Sequence, residues 1–339
     1  MTNLTSIEIT TGTMFRAILL VLALIFIYLI RDVVAIILFS VVVASAIGPA
    51  AEWFTRWRLP RVLGVLLVYV ITFSILGAAF SLVIPPLLDE LSTISSASII
   101  EEASGAFFNL FPKLPFSIAQ SIKELVEGLR VSIDEIAGGF FKATSTIFGG
   151  ALSFILIVVI SFYLSVQERG IENFLRIVTP LEYEQYILDL WSRARRKIGR
   201  WLMSQILLGL LIGAMVFLGL TILQIKFALS LAILTAIFEL IPVFGPILAA
   251  IPAVLIAFLQ EPILGLVVVV FFFVVQQFEN HLIVPVVFKQ AVGVPPILVV
   301  IALLVGGELG GLFGLLLAVP IAAVLVEFLN DIAARKQIG

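Results

Sequence analysis

Long apolar runs without a charged side chain recur along this sequence of 339 residues. A helix that crosses a bilayer needs about 20 consecutive, mostly apolar residues. The chain is 62% hydrophobic and only 12% charged, which excludes an ordinary water-soluble domain. The sequence therefore predicts a helical membrane protein with many spans, in the apolar runs 17–30, 33–51, 62–88, 143–167, 202–225, 240–260, 262–278, 290–307 and 309–326.

Basic residues cluster at alternate ends of these runs. Three arginines follow the second run, seven basic residues lie between positions 169 and 200, and Arg335 and Lys336 close the chain. Cytoplasmic loops of membrane proteins carry an excess of lysine and arginine. We therefore expect a multi-pass protein of the cell (plasma) membrane with both termini in the cytoplasm and with residues 85–142 outside.

Two regions are predicted to form amphipathic helices that do not span the membrane. Within residues 117–142 apolar side chains recur at helical spacing with charges between them, which predicts an external helix on the membrane or on a neighbouring subunit. Residues 168–200 combine an apolar face that includes Trp191 and Trp201 with a basic face. That pattern is typical of a helix lying against anionic headgroups. Basic flanks of this kind do not indicate nucleic-acid binding.

A short segment with helix-breaking residues occurs twice in the last third of the chain. Residues 239–246 (Glu-Leu-Ile-Pro-Val-Phe-Gly-Pro) reappear in altered form at 308–314 (Glu-Leu-Gly-Gly-Leu-Phe-Gly). At an offset of 69, seven of 15 positions are identical without a gap. The predicted breaks are Pro242, Gly245, Pro246, Gly307, Gly310 and Gly311.

Each copy of the repeat places a carboxylate at membrane depth, at Glu239 and at Glu308. Ionisable side chains there are costly and suggest a functional site. Paired broken hairpins of inverted topology are a common way for secondary transporters to build such a site. We expect two hairpins that enter the membrane from opposite faces with the carboxylates at their tips. The alternative is that each short helix spans the membrane with the help of polar residues at its ends.

The span between the hairpins ends in a polar cluster. Gln276, Glu279 and Asn280 occupy positions i, i+3 and i+4, so one helical face presents two amides and a carboxylate. This set could bind a cation or exchange a proton, or it could be a polar cap at the cytoplasmic interface. We rank Glu239 and Glu279 first for ion coupling and Glu308 third. His281, the only histidine, is interpreted as an interface residue.

These patterns predict an all-α multipass membrane protein with about eight membrane segments, including two broken or re-entrant hairpins. We divide it into N-terminal transmembrane helices (1–84), an external amphipathic segment (85–145), one transmembrane helix (146–167), a cytoplasmic basic helix (168–201) and a C-terminal transport core (202–339). The two hairpins of the core are placed at residues 227–260 and 291–328.

The same residues resemble a known family. Segment 239–246, the run 276–280 with Pro285, and the run 307–311 with Gly314 and 318–320 are similar to the autoinducer-2 exporter family of PerM-like bacterial and archaeal permeases. Residues 162–164 and 199–205 resemble it as well. Many members carry Lys-Asp-Gly where this chain has Gln167-Glu-Arg-Gly170. The resemblance implies a homo-oligomeric transporter; members are associated with export of autoinducer-2 or with Na⁺(Li⁺)/H⁺ antiport.

We therefore expect a secondary transporter that moves a small polar solute or a cation, coupled to an ion gradient. The alternative is a passive channel or an oligomeric membrane scaffold. The sequence holds no Gly-x-x-x-x-Gly-Lys-Ser/Thr loop and no His-Glu-x-x-His motif, so neither a nucleotide site nor an intramembrane enzyme is expected. No metal site and no cofactor are expected either. The expected partners are the lipid bilayer, the solute or Na⁺/H⁺, and further copies of the chain.

Overall fold

The computed structural model describes residues 29–94, 151–167, 169–287 and 294–338, together with positions 12, 19, 20, 22, 25, 26 and 120. Within this part every regular element is helical, as predicted. The proposed external amphipathic helix at 117–142 lies outside the described residues, apart from position 120. The helices are α1 (Arg31–Arg56), α2 (Arg61–Ile94), α3 (Ala151–Val166), α4 (Gly170–Val178), α5 (Leu181–Ile222), α6 (Ala228–Phe238), α7 (Phe244–Gln260), α8 (Pro262–Phe278), a π-helical turn (Glu279–Ile283), α9 (Val284–Val287) and α10 (Pro296–Ile338).

Five of the described stretches are long and apolar enough to cross a membrane. By length and composition they are Arg31–Arg56, Arg61–Val83, Leu181–Ile222, Pro262–Val287 and Ile297–Ala334, of which the last is folded back at Gly311. A sixth is obtained if α3 and α4, which meet at an angle of 88°, form one broken span. These helices confirm the prediction of a multi-pass helical membrane protein.

Helices α1, α2 and α3 form an N-terminal bundle that buries a few hydroxyl groups. The Tyr69 hydroxyl donates to Ser161 Oγ at 2.6 Å, and Ser161 Oγ donates in turn to the Ile157 carbonyl at 2.5 Å. Arg61 Nε reaches the Ser165 carbonyl oxygen at 3.0 Å. The buried hydroxyl groups of Tyr69 and Ser161 thus both have partners, because an unpaired polar group in an apolar interior is costly. The bundle therefore has specific polar contacts as well as apolar packing.

Helix α5 is the longest uninterrupted helix of the described chain. Its 42 residues extend about 63 Å at 1.5 Å per residue, about twice the thickness of the hydrocarbon core. The basic region predicted at 168–201 is therefore not one separate helix. It comprises α4 and the first half of α5, and α5 then continues without a break into the apolar span.

Helices α6 and α7 form the first hairpin, and its base is closed by one side chain. The Gln260 side chain accepts from the Lys226 backbone N–H at 2.7 Å and donates to the Gln224 carbonyl at 3.2 Å. Ser230 Oγ donates to the Leu82 carbonyl at 2.8 Å. The base of the first hairpin therefore lies beside the later part of α2, far from Arg61 at the start of that helix. The two arms, residues 228–238 and 244–260, fall within the predicted range 227–260.

The second hairpin is formed by α10, which reverses direction at Gly311. This glycine has φ 54° and ψ −133°, a conformation that is strained for residues with a Cβ. Gly306 and Gly314 approach so closely across the reversal that a Cβ on Gly314 would overlap the Gly306 carbonyl. The return arm runs to Ile338 and pairs with Arg193 of α5, at the end of the bundle where Arg195 lies near Gly48 of α1. The two hairpins thus enter the bundle from opposite ends.

Candidate functional site

Glu239 and Glu279 lie together in the interior of the C-terminal half. Their side chains are 1% and 5% exposed, and their carboxyl groups are close enough for a side-chain hydrogen bond. Two negative charges in contact and away from water repel strongly. The pair is therefore favourable only when a proton or a cation neutralises part of its charge.

Glu239 reaches this position because helix α6 ends there. The backbone N–H of Ile241 bonds the Phe238 carbonyl at 2.8 Å, which tightens the last turn just before Pro242. Val243 then takes φ 70° and ψ −47°, and the Phe244 N–H bonds the Pro242 carbonyl at 2.8 Å. This is a γ-turn with positive φ, a strained conformation for a β-branched residue. Backbone strain of this kind tends to occur at functional sites.

Glu279 opens the π-helical turn that follows α8. Gln276 Nε2 donates to Glu279 Oε2 at 3.2 Å, so the predicted pair at i and i+3 is present. Asn280 is exposed and does not join them, because a π-helical turn rotates the following side chains relative to an α-helix. His281 is also exposed, and its Nδ1 lies 2.9 Å from the Gln277 carbonyl oxygen. The structure therefore brings together Gln276 and Glu279 but not Asn280.

Gln205 of α5 is part of this site, although sequence reasoning gave it no role. It is 2% exposed, and its Nε2 donates to the Glu239 backbone carbonyl. Carbonyls in the last turn of a helix lack a partner within the helix, so this amide satisfies a group that the break leaves unpaired. The available signal is that Gln205 is a glutamine inside the apolar run 202–225, close to the start of that run.

Close packing of α5 against α6 brings Gln205 within reach. A Cβ on Gly209 would lie 2.6 Å from the Ala236 carbonyl oxygen, and one on Gly213 would lie 2.9 Å from the Ala236 Cβ. Real side chains do not approach so closely, so both positions require glycine for this helix separation. Small residues at helix contacts are typical of membrane proteins because they let backbones approach.

One carboxylate oxygen of the pair is buried and receives no hydrogen bond. No donor group in the described part of the chain reaches Glu239 Oε2. A buried, unsatisfied polar atom costs about 1–3 kcal/mol, and more if it is charged. Carboxylate and amide oxygens are ligands for hard cations such as those of the alkali and alkaline-earth metals, and a carboxylate also accepts a proton. The site can therefore take up a cation or a proton.

The second predicted carboxylate is not part of this group. Glu308 is exposed and lies three residues before the reversal at Gly311. Gly307 and Gly310 are helical, so Gly311 alone carries the break in backbone conformation. In the first hairpin, by contrast, Pro242 lies in the turn and the buried Gly245 and Pro246 begin α7.

The two hairpins nevertheless have the same local geometry: in each of them, two backbone segments cross in close contact. A Cβ on Gly245 would overlap the Phe238 carbonyl oxygen, and one on Gly314, its equivalent at the offset of 69, would overlap the Gly306 carbonyl oxygen. The equivalent alanines beyond the crossing are all buried: Ala249, Ala253, Ala318 and Ala322. This common geometry supports the interpretation of the segment as an internal repeat.

A crevice lies elsewhere, between α2 and α3. It has a volume of about 680 Å³ and is lined mainly by apolar and aromatic side chains that include Tyr69, Phe73, Phe162 and Tyr163. It is wide open and contains none of the buried carboxylates. We therefore place the candidate site at the Glu239–Glu279 pair, where convergent polar groups are present, and not at this crevice.

Comparison with known proteins points to transport. The family model described as "AI-2E family transporter" matches residues 17–334. YrrI of Bacillus subtilis (strain 168), named as a candidate transport protein, is 27% identical over 303 residues, covering 85% of this chain and 83% of YrrI. YhhT of Escherichia coli (strain K12), named in the same way, is 24% identical over 296 residues, covering 86% of this chain and 83% of YhhT.

Proposed function

The chain belongs to the AI-2E transporter family, and we propose that it is a secondary transporter that couples movement of a small polar solute or a cation to an ion gradient. The observation that carries this proposal is the buried carboxyl pair at the break of the first hairpin. In a membrane protein such a pair is expensive unless it exchanges a charged species during function. The proposal treats the protein as a transporter and not as an enzyme.

The pair supports exchange because it binds only limited positive charge at once. Either a cation or a shared proton relieves the repulsion between Glu239 and Glu279. The two therefore compete for the same carboxylate oxygens. Gln205 donates to the backbone carbonyl of Glu239, and Gln276 donates to the carboxylate of Glu279. These two contacts hold the glutamates in place. In an alternating-access cycle, exposure of the pair to one side and then the other would exchange the two species.

Two substrates fit this arrangement. One is a sodium or lithium ion exchanged for a proton. The other is a polyhydroxylated solute of the autoinducer-2 type, which needs several hydrogen bonds of the kind that Gln276 and the two glutamates offer. In the second case the carboxyl pair would bind the coupling ion or would accept hydrogen bonds directly from the hydroxyl groups of the solute.

We further propose a plasma-membrane location with cytoplasmic termini and assembly into a homo-oligomer. The basic residues on α4 and the first half of α5 support the orientation. Protease accessibility of terminal tags in oriented vesicles tests it, because protection in right-side-out vesicles is expected. Native mass spectrometry tests the assembly, and a purely monomeric species in mild detergent would contradict it.

The test of transport is a flux assay in proteoliposomes. A pH-sensitive dye is trapped in the lumen, and an inward gradient of Na⁺ or Li⁺ is imposed. Sodium-driven alkalinisation is expected for the wild-type protein and is expected to be abolished by Glu239→Gln. Glu261→Gln is the matched control, because Glu261 is an exposed glutamate at the α7–α8 junction. Equal flux in wild-type protein and Glu239→Gln would contradict the role of the pair.

If the wild-type protein gives no pH change, the same vesicles are loaded with labelled autoinducer-2 and its efflux is measured. Efflux that depends on Glu239 and on an ion gradient keeps the transporter proposal with an organic substrate. Flux without coupling, or flux that is insensitive to Glu239→Gln, favours the passive channel. Absence of both kinds of flux from folded protein favours the scaffold.

A further inference from the structure

Four charged side chains join α5 to the return arm of the second hairpin. Arg193 Nη1 lies 2.7 Å from Glu327 Oε1 and 3.0 Å from Asp331 Oδ1, and Arg193 Nη2 lies 2.6 Å from Asp331 Oδ2. Lys197 Nζ pairs with the other oxygen of Glu327. We call this group, Arg193, Lys197, Glu327 and Asp331, the ion ladder. None of its residues belongs to the carboxyl pair described above.

The ion ladder is partly shielded from water. Its side chains are 13–25% exposed, in contrast to 62% for Asp189, which lies 2.9 Å from Arg193 Nε. The Arg193–Asp331 contact uses two parallel hydrogen bonds, the strongest geometry for this pair of groups. Buried apolar side chains adjoin it on the membrane side, where Trp201 and Ile198 pack in one cluster with Ala323. The ladder is therefore more than a pair of exposed surface charges.

The spacing of the ladder favours the observed register of the two helices. The two cations are four residues apart on α5 and the two anions four apart on α10, and the helices run antiparallel at this contact. If the return arm moved one turn deeper, Glu327 would lie level with Trp201 and lose both cations. If it moved one turn outward, Asp331 would lie level with Asp189, which has the same charge. Either shift, of about 6 Å, breaks more pairs than it makes.

We propose that the ion ladder is a latch that holds the return arm of the second hairpin on α5 in a single register and must open for that arm to move. Helix α5 contacts the first hairpin through Gln205 and Gly209 and the second hairpin through the ladder. Opening the latch releases the second hairpin while the contact between α5 and the carboxyl pair is retained. The inference goes beyond the proposed function and depends on no assignment of substrate.

A cysteine probe at Ala323 measures latch opening. Ala323 is fully buried beside Trp201, and the natural chain contains no cysteine, so Ala323→Cys gives a single thiol. The protein is purified in detergent, and the rate of modification by a water-soluble methanethiosulfonate reagent is measured. Because the thiol is covered while the arm is latched, its modification rate reports the fraction of time that the arm is open.

Charge-neutralising variants are then made in the Ala323→Cys background. Arg193→Gln and Asp331→Asn are each expected to raise the modification rate about tenfold, and the double variant is expected to raise it by less than the product of the two effects, because both single variants remove the Arg193–Asp331 contact. Arg196→Gln is the matched control, since Arg196 is an exposed arginine of the same helix whose side chain bonds Ser192. Equal rates in Arg193→Gln, Arg196→Gln and the parent would overturn the proposal.

A second measurement tests the latch with the ladder intact. Its decisive outcome therefore does not depend on whether the ladder variants fold. Raising the salt concentration from about 0.05 M to about 1 M shortens the screening length to about 3 Å and weakens partly exposed ion pairs. The modification rate of Ala323→Cys with the ladder intact should rise with salt. In folded Arg193→Gln protein it should already be high and change little. A rate independent of salt with the ladder intact would overturn the proposal.

Discussion

The substitution Glu239→Gln should abolish coupled flux without destabilising the protein. Glutamine has the shape of a protonated glutamate, and its Nε2 can donate to the Glu279 carboxylate that lies beside it. Two ionised carboxylates about 4 Å apart repel by about 4 kcal/mol at an effective dielectric constant of 20. A hydrogen bond to a charged acceptor contributes about 1.5–3 kcal/mol. The variant should therefore have equal or higher stability than the wild-type protein at neutral pH.

Thermal unfolding of the purified protein in detergent, followed by the flux assay on the same preparations, tests this expectation. An apparent Tm equal to or a few degrees above that of the wild-type protein is expected together with loss of coupled flux. Glu239→Ala provides the contrast, because it removes the side chain and leaves the Glu279 carboxylate without this neighbour. A clear fall in the Tm of Glu239→Gln would show that the carboxylate stabilises the fold, and would refute the argument that repulsion within the pair is unfavourable.

Three further substitutions test the geometry of the hairpins and of the Gln205 contact, each by the shift in apparent Tm. Gly245→Ala should destabilise the protein by about 1–3 kcal/mol, because its Cβ would overlap the Phe238 carbonyl; an unchanged Tm would contradict this crossing. Gly311→Ala should cost about 1–3 kcal/mol through strain alone, whereas Gly310→Ala, in helical conformation with open space around it, should be neutral or stabilising. Gln205→Leu should cost about 1–3 kcal/mol, because the buried Glu239 carbonyl loses its donor; Gln277→Leu, at an exposed helical glutamine of α8, is the control.

The membrane class of the fold follows from composition because the bilayer imposes a simple rule. Every backbone group in the hydrocarbon core must be bonded within the protein, so long apolar runs form helices whatever their detailed packing. The chain reversals near Pro242 and Gly311 are local too, since proline removes a donor and glycine tolerates positive φ. Features that depend on one segment of the chain are therefore readable from the sequence.

Features that depend on which segments meet are less readable. The sequence ranks Glu239 and Glu279 together only as two carboxylates at membrane depth; their contact requires α6 and α8 to converge. The role of Gln205 is not readable, because its partner is a backbone carbonyl, which has no sequence signature. A regular α-helix would place Asn280 beside Glu279, as the spacing predicts, but the π-helical turn moves it away.

The two hairpins show why equivalent positions in a repeat need not share a function. Gly245 and Gly314 are required by the same physical constraint, since each lies where one backbone crosses another with no room for a Cβ. Glu239 and Glu308 are also equivalent, each three residues before the break, but their surroundings differ. Helix α5 covers Glu239 through Gln205 and Gly209, whereas Glu308 is exposed in the described structure.

A carboxylate acquires unusual chemistry only when its surroundings exclude water and supply a second charge. The backbone geometry of the repeat is therefore set by its own glycines, and the chemistry of each carboxylate is set by the helix that packs over it. This reasoning assigns ion coupling to the first hairpin. It predicts that Glu308→Gln retains coupled flux in proteoliposomes under conditions where Glu239→Gln has lost it, and equal loss in both variants would show that the second tip also enters the transport site.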